Sequence, residues 1–208
     1  MMFEEEELGF SKCHRIHDTR LINFVQQSAM QLNDPSLKRY PSFRFPGGLP
    51  ITVESSHVRG IMTGNYSFTA KADGIRVLLV FVNYYIDGDW RKLCVMLGRD
   101  GTAHLLKVNV PIELSENGGS LFDGELIQAS NGWSHILLFD CYSYQGTNLR
   151  QLHLYRRFAR CQKLAESVVH EETSSVIFNA KPYYRLTKEN LETALGFMNN
   201  QHYLPYPT

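Results

Sequence analysis

Lys71-Ala72-Asp73-Gly74-Ile75-Arg76 places an amine, a carboxylate and a guanidinium around a glycine, where a turn runs into branched and aromatic residues. A lysine carried at such a junction projects from a rigid element and can act as a nucleophile once its amine sheds its proton. Leu121-Phe122-Asp123-Gly124-Glu125-Leu126-Ile127 sets two carboxylates about a glycine inside an apolar run. Buried acids are costly unless paired or coordinated, so ligand or metal contacts are one reading. Ile136-Leu137-Leu138-Phe139-Asp140-Cys141 embeds another acid beside an aromatic ring, and Phe178-Asn179-Ala180-Lys181-Pro182-Tyr183-Tyr184 adds a second lysine. Each piece has a plain alternative. Lysine beside Asp-Gly is also a surface turn, Asp-Gly-Glu also a hairpin turn, Phe139 a core ring and Lys181 a solvated cation.

The elements that must hold these residues are mixed. Residues 1 to about 40 read as helix and connector, with a stripe of Leu21, Ile22, Phe24, Val25, Met30 and Leu32 ended by Asn33-Asp34-Pro35. Tyr40 to Pro50 is rich in proline, glycine and aromatic residues, which forbids a helix there. Ile75 to Tyr85 reads as a long buried strand, Asp87-Gly88-Asp89 as a turn, and Leu93 to Leu97 as its hairpin partner. Asp100-Gly101 marks a turn before His104 to Val110. Leu121 to Ile127 and Ile136 to Tyr142 are two further strands separated by Asn131-Gly132. Leu149 to Val169 has helical spacing with Arg150, Arg156, Arg157 and Arg160 mostly outward. A short strand spans Val176 to Tyr184, and Thr187 can cap a last helix bearing Leu191, Leu195 and Met198. The fold expected is α+β, with mainly antiparallel twisted sheets and flanking helices.

Order and spacing then connect the pieces. Lys71-Ala-Asp-Gly-Ile-Arg76, Asp123-Gly-Glu125 and the strand carrying Phe139-Asp140 resemble successive motifs of the covalent nucleotidyltransferases, the capping enzymes and polynucleotide ligases. Further segments are similar to the mRNA guanylyltransferase branch. Phe45-Pro-Gly-Gly-Leu-Pro-Ile51 resembles its Phe-Pro-Gly-x-x-Pro-Val segment, Gly98-Arg99-Asp100-Gly101 its Asp-Arg-Asp-Asn stretch, and Lys181-Pro-Tyr-Tyr184 its Lys-Pro-Phe-Phe. The division implied is an N-terminal helical segment and connector over 1–44, then a partial GTP-binding nucleotidyltransferase domain over 45–208, without an OB-fold domain.

The resemblance implies a two-step transfer. Lys71 would take GMP from GTP as a lysyl-GMP adduct and pass it to the 5′-diphosphate end of RNA during mRNA capping. By the same resemblance Arg76 and Glu125 would bind ribose hydroxyls, Arg99 phosphate, and Asp123 and Gly124 would belong to the GTP site. Phe139 would stack on guanine, and Lys181 would donate to its O6, a contact that favours guanine over adenine. Asp73, Gly74 and Asp140 would support these groups, and Mg²⁺ or Mn²⁺ would be the metal, with Glu125 its candidate ligand. Candidate partners are RNA polymerase II and a triphosphatase or methyltransferase. A cellular enzyme of this kind would work in the nucleus, a virus-encoded one in the cytoplasm. The alternatives are an ATP-dependent polynucleotide ligase and a non-catalytic nucleotidyltransferase-like binding module.

Composition sets bounds. With 21 basic and 21 acidic residues the formal charge is zero, which argues against coating nucleic acid by bulk charge and leaves room for a local basic cleft. Cys13, Cys94, Cys141 and Cys161 are far apart and are expected to be reduced. Cys13-His14-x-x-His17 lacks a second ligand cluster, so no metal is expected there. No signal peptide and no membrane span are expected, which predicts a soluble intracellular protein. The family's next motifs are an Asp/Glu-Gly-Leu-Ile strand and a Lys-x-Lys pair; the sequence ends about where the first should begin. A fragment of a longer enzyme is the expectation. A degenerate binding domain and completion by a second chain are the other two readings. No His-Cys-x5-Arg loop is present, so triphosphatase activity is not expected.

Overall fold

The computed structural model describes residues 3–8, 11–36, 42–49, 51–64, 66–109, 111–128, 133–168 and 176–199. In chain order the elements are β1 (Phe3–Leu8), β2 (Ser11–Ile16), α1 (Thr19–Asn33), α2 (Ser55–Thr63), β3 (Ser67–Phe68), β4 (Ile75–Ile86), β5 (Asp89–Gly98) and β6 (Ala103–Leu105). A 3₁₀ turn at Ile112–Ser115 precedes β7 (Ser120–Gln128), β8 (Ser134–Tyr144), β9 (Thr147–Asn148), α3 (Leu154–Ser167), β10 (Ile177–Ala180), β11 (Tyr184–Arg185) and α4 (Lys188–Asn199). Among the described residues one sheet runs β1-β2-β6-β5-β4-β7-β8-β10 with β9 on β8, and β3 pairs with β11 separately. Every pairing is antiparallel except β10 on β8. The α+β class expected from the sequence is the one found.

Strand β4 is central because it is apolar on both faces. Val77, Leu79 and Phe81 join Cys94, Met96, Phe122 and the α3 residues Phe158, Cys161 and Leu164 in one core. Leu78, Val80 and Val82 face the other way, onto Leu21, Val25 and Ala29 of α1. A sheet covered by a helix on each side explains the unbroken apolar run, where a half-solvated strand would alternate. The β4–β5 turn takes positive φ at Asp87 (51°) and Gly88 (87°), the twist that short hairpins need. Asp18 caps α1 by accepting from the amides of Arg20 and Leu21, and Thr187 caps α4 through the amide of Asn190.

The structure departs from the sequence reading in several places. Residues expected as helix or connector near the N-terminus form the β1–β2 hairpin, which extends the main sheet through β6. Residues 55–63 form α2, a helix the sequence reading did not expect; it has no buried residue, and its apolar residues Val58, Ile61 and Met62 span only one turn. The strand expected at His104 to Val110 is limited to Ala103–Leu105. The one expected at Val176 to Tyr184 divides at Lys181-Pro182-Tyr183 into two strands of different sheets, because proline cannot donate to a ladder. The helix expected from Leu149 starts at Leu154, after β9 and a turn. Expectations resting on Tyr40, Pro50, Val110, Asn131-Gly132 and Val169 fall outside the described residues.

Arg157 does not point outward. Its Nε and Nη2 fork onto the two carboxylate oxygens of Asp140 at 2.7 and 3.0 Å, and its Nη1 donates to the Leu152 carbonyl. This pair fastens α3 to β8 directly behind Phe139. Arg157→Ala should lower unfolding stability by about 2 kcal/mol, the usual worth of charged hydrogen bonds, measured by urea titration. Arg157→Lys should recover only part of it, since an ammonium cannot make the fork.

Candidate active site

The site is built at the end of the sheet where β4 begins. Along β4 the face that packs on α1 at Leu78 and Val80 becomes polar at Arg76, two residues earlier. Across the ladder, Arg76 lies opposite Glu125 and Leu78 opposite Asp123, so both acids of Asp-Gly-Glu share that face. They do not form a hairpin turn; they sit within strand β7.

Asp123 is fully buried. Arg76 Nε donates to its Oδ1 at 3.1 Å and Arg76 Nη2 to its Oδ2 at 2.6 Å. The Tyr142 hydroxyl donates to Oδ2 at 2.5 Å. Burial pushes the Asp123 carboxyl above the usual carboxylate range, and the Arg76 and Tyr142 hydrogen bonds oppose that push. The same fork raises the Arg76 pKa further, with burial opposing it. Arg76 Nη1 donates to the Gly48 carbonyl at 2.6 Å, while the Gly48 amide donates to the Tyr142 hydroxyl at 3.2 Å. The Phe45 ring lies 5.5 Å from the Arg76 guanidinium carbon. The Phe-Pro-Gly-Gly segment therefore closes around one arginine.

Two irregularities in β8 place its aromatic side chains. In the β7–β8 ladder Asp123 pairs with Asp140 but Gly124 with Leu138, and Phe122 pairs with Cys141 but Leu121 with Ser143. Phe139 and Tyr142 are the residues left over. Extra residues of this kind re-aim side chains, and these two are the rings that reach the cleft. Phe139 is half-buried rather than a core ring, with Arg76 5.6 Å and Lys181 Nζ 5.9 Å from its centre.

Lys181 is not a solvated cation; it is 6% exposed. Its amide donates to the Leu138 carbonyl, extending the parallel pairing of β10, and its Nζ lies 3.6 Å from Glu125 Oε2. Burial lowers its pKa, Glu125 raises it, and the nearby charge of Lys71 lowers it again. The other Glu125 oxygen accepts the Gly74 amide at 3.0 Å. A Cβ at Gly74 would stand 2.3 Å from the Leu126 carbonyl, so only glycine permits this approach to β7.

Lys71 itself is 87% exposed, 3.8 Å from the carboxylate of Asp73, and donates to the Ala72 carbonyl. Arg99 is exposed in the turn after β5 and makes no ion pair or hydrogen bond with the Asp123–Glu125–Lys181 cluster. Gly124 is buried against Ile136 and Leu137, and Asp140 is held by Arg157. Sequence reasoning missed Tyr142 as a site residue, and it assigned no role to Phe45 or Gly48. No three histidine, cysteine or acidic side chains gather among the described residues. Glu125 has one oxygen on an amide and the other facing an ammonium, and Asp123 is taken up by Arg76 and Tyr142. These residues do not fit a resident metal.

The chain matches the family described as "mRNA capping enzyme, catalytic domain" over residues 14–189. It is 31% identical over 149 residues to the mRNA-capping enzyme subunit alpha of Candida glabrata, covering 64% of this chain and 32% of that protein. It is 24% identical over 140 residues to the Schizosaccharomyces pombe protein of the same name, covering 63% and 35%. The chain thus spans about a third of the length of these curated relatives. Fold and sequence together define a nucleotidyltransferase-type α+β domain. The chain belongs to the mRNA capping enzyme catalytic-domain family.

Tyr142→Phe should leave the ring in place and remove one bond to a buried carboxylate. The expected loss is about 2 kcal/mol of stability by urea titration.

Proposed function

We propose that this chain is the nucleotide-binding part of an mRNA guanylyltransferase. The observation that carries the reading, alongside family membership, is the single cleft in which Arg76, Glu125, Phe139 and Lys181 converge beside Lys71. In the first step the Lys71 amine, having lost its proton, forms a bond to the α-phosphorus of GTP. The bond to the β-phosphate oxygen breaks and pyrophosphate leaves. In the second, a terminal oxygen of a 5′-diphosphate RNA takes the phosphorus and the lysine is released. Splitting the transfer this way turns one difficult displacement into two easier ones.

The roles follow from chemistry already described. Arg76 is held by three of its N–H groups and keeps others for a ribose hydroxyl. Glu125 is fixed from both sides and accepts a second hydroxyl. Phe139 offers a ring face to a base, and Lys181 stands at its edge as a donor suited to O6 of guanine. Asp123, Gly124, Gly74 and Asp140 hold this frame; Asp73 accompanies the nucleophile. Arg99 is given the triphosphate on resemblance alone. Mg²⁺ or Mn²⁺ enters as part of the substrate, carried on phosphate oxygens. The exposed Lys71 would lose its water when that substrate arrives. RNA polymerase II and a triphosphatase or methyltransferase are the partners this reading implies, and the nucleus its place; no helix among the described residues is long and apolar enough to cross a membrane.

Incubation with α-phosphate-labelled GTP, ATP or CTP and Mg²⁺, followed by denaturation, tests the reading. Label should be retained from GTP and lost in Lys71→Ala. Retention from ATP instead would make the chain a polynucleotide ligase, and no retention from any nucleotide would make it a binding module. Lys181→Met should reduce the preference for GTP over ATP roughly tenfold or more, the scale of one good base-edge contact.

A further inference from the structure

Away from the nucleotide cleft, Tyr66, Ser67, His153, Tyr155 and Arg185 line an open pocket of about 300 Å³. The His153 and Tyr155 rings are nearly parallel, 16° apart with centres 5.4 Å apart, at the start of α3. The Tyr155 hydroxyl and Ser67 Oγ lie 2.8 Å from each other. Tyr66 and Tyr155 are 49% and 43% exposed, so neither ring is taken up by the core. Rings with open faces, hydroxyls between them and an arginine at the rim are the features that seat a nucleobase and its phosphate. The nucleotide chemistry described above uses none of these residues.

The position of the pocket says which nucleic acid. Its wall is the small β3–β11 sheet, in which Ser67 pairs with Arg185 and Phe68 with Tyr184. Lys71 follows Phe68 by three residues, and Lys181 precedes Tyr184 by three, so each lysine is at most about 11 Å along the chain from the pocket wall. The Thr69 hydroxyl donates to the Pro182 carbonyl at 2.7 Å and joins the two connecting segments. A strand whose 5′ end lies at Lys71 and that runs along this small sheet would reach the pocket within its first few nucleotides.

We infer that this pocket is the acceptor-strand subsite: it holds a base of single-stranded RNA a few nucleotides from the 5′ end that receives GMP. The inference rests on the guanylyltransferase reading for the identity of the 5′ end, and on the pocket alone for RNA binding. Tyr155 and Tyr66 supply stacking surface, Ser67 and the Tyr155 hydroxyl meet a base edge, and Arg185 meets a phosphate.

The two steps separate the test from the parent reading. With labelled GTP, retention of label on the chain should be unchanged in Tyr155→Ala and Arg185→Glu. Transfer of that label to a ten-nucleotide RNA with a 5′ diphosphate should show KM for RNA raised about tenfold, as expected for losing one stacked base. Tyr155→Phe keeps the ring and loses only the hydroxyl's contact to the base edge, so its KM should rise clearly less than in Tyr155→Ala, which separates stacking from folding. An acceptor of a single nucleotide should show no difference between variant and parent. Unchanged KM in both variants would overturn the inference. If the parent chain keeps no label from GTP, the guanylyltransferase reading fails by itself. The subsite is then judged by fluorescence anisotropy of the same labelled RNA. Weaker binding in Tyr155→Ala supports it; equal binding, or a loss seen only with a tyrosine-containing phosphopeptide, sinks it.

Discussion

A carboxylate with no exposure, in the middle of a sheet, needs a partner of fixed geometry, and Asp123 has one in Arg76. Removing either member would strand a charge inside the protein, a change that typically costs about 3–5 kcal/mol. The fork explains why the start of β4 can be polar although the rest of the strand is apolar on both faces. It also sets the arginine's plane. From that plane the Gly48 carbonyl, the Tyr142 hydroxyl and the Phe45 ring take their positions, and the Phe-Pro-Gly-Gly segment is bound to the sheet without being a strand.

The other half of the cleft depends on an interruption in the ladder. A regular β8 would pair every residue with β7. The two residues left over at Phe139 and Tyr142 allow one strand to send aromatic side chains to the cleft while Ile136, Leu138 and Cys141 remain in the core. Asp140, next to the first irregularity, is gripped by Arg157 from α3, so the bulged backbone has a support behind it. Gly74 and Glu125 complete the frame by bringing the lysine-bearing segment against β7.

How much of this could be read from the sequence depended on whether one residue or several carried the information. The long strand at Ile75, its hairpin partner, the last helix with its Thr187 cap and the order of the chemical segments were legible because local composition decides them. Family resemblance pointed to Lys71, Arg76, Glu125, Phe139 and Lys181 as candidates, and the structure brings the last four together with the exposed Lys71 at their margin. Tyr142 was not legible: its importance comes from a register slip, and a slip leaves no mark in hydropathy. The β1–β2 hairpin was hidden because its charged run suggests no strand, and α2 because its apolar residues, Val58, Ile61 and Met62, span a single turn interrupted by Gly60. Arg157 had the spacing of an outward residue; only the position of Asp140 on a neighbouring strand turns it inward.

The small β3–β11 sheet has a mechanical consequence. Two short stretches of backbone, one leading to Lys71 and one arriving from Lys181, are tied by ladder hydrogen bonds and again by Thr69 to Pro182. Lys181 is bonded through its amide to β8 of the main sheet, so the small sheet ties the segment that bears Lys71 to a fixed neighbour. A displacement of the small sheet would therefore move the attacking amine relative to the amine that would identify the base, and attack could be adjusted while base identification stays in place.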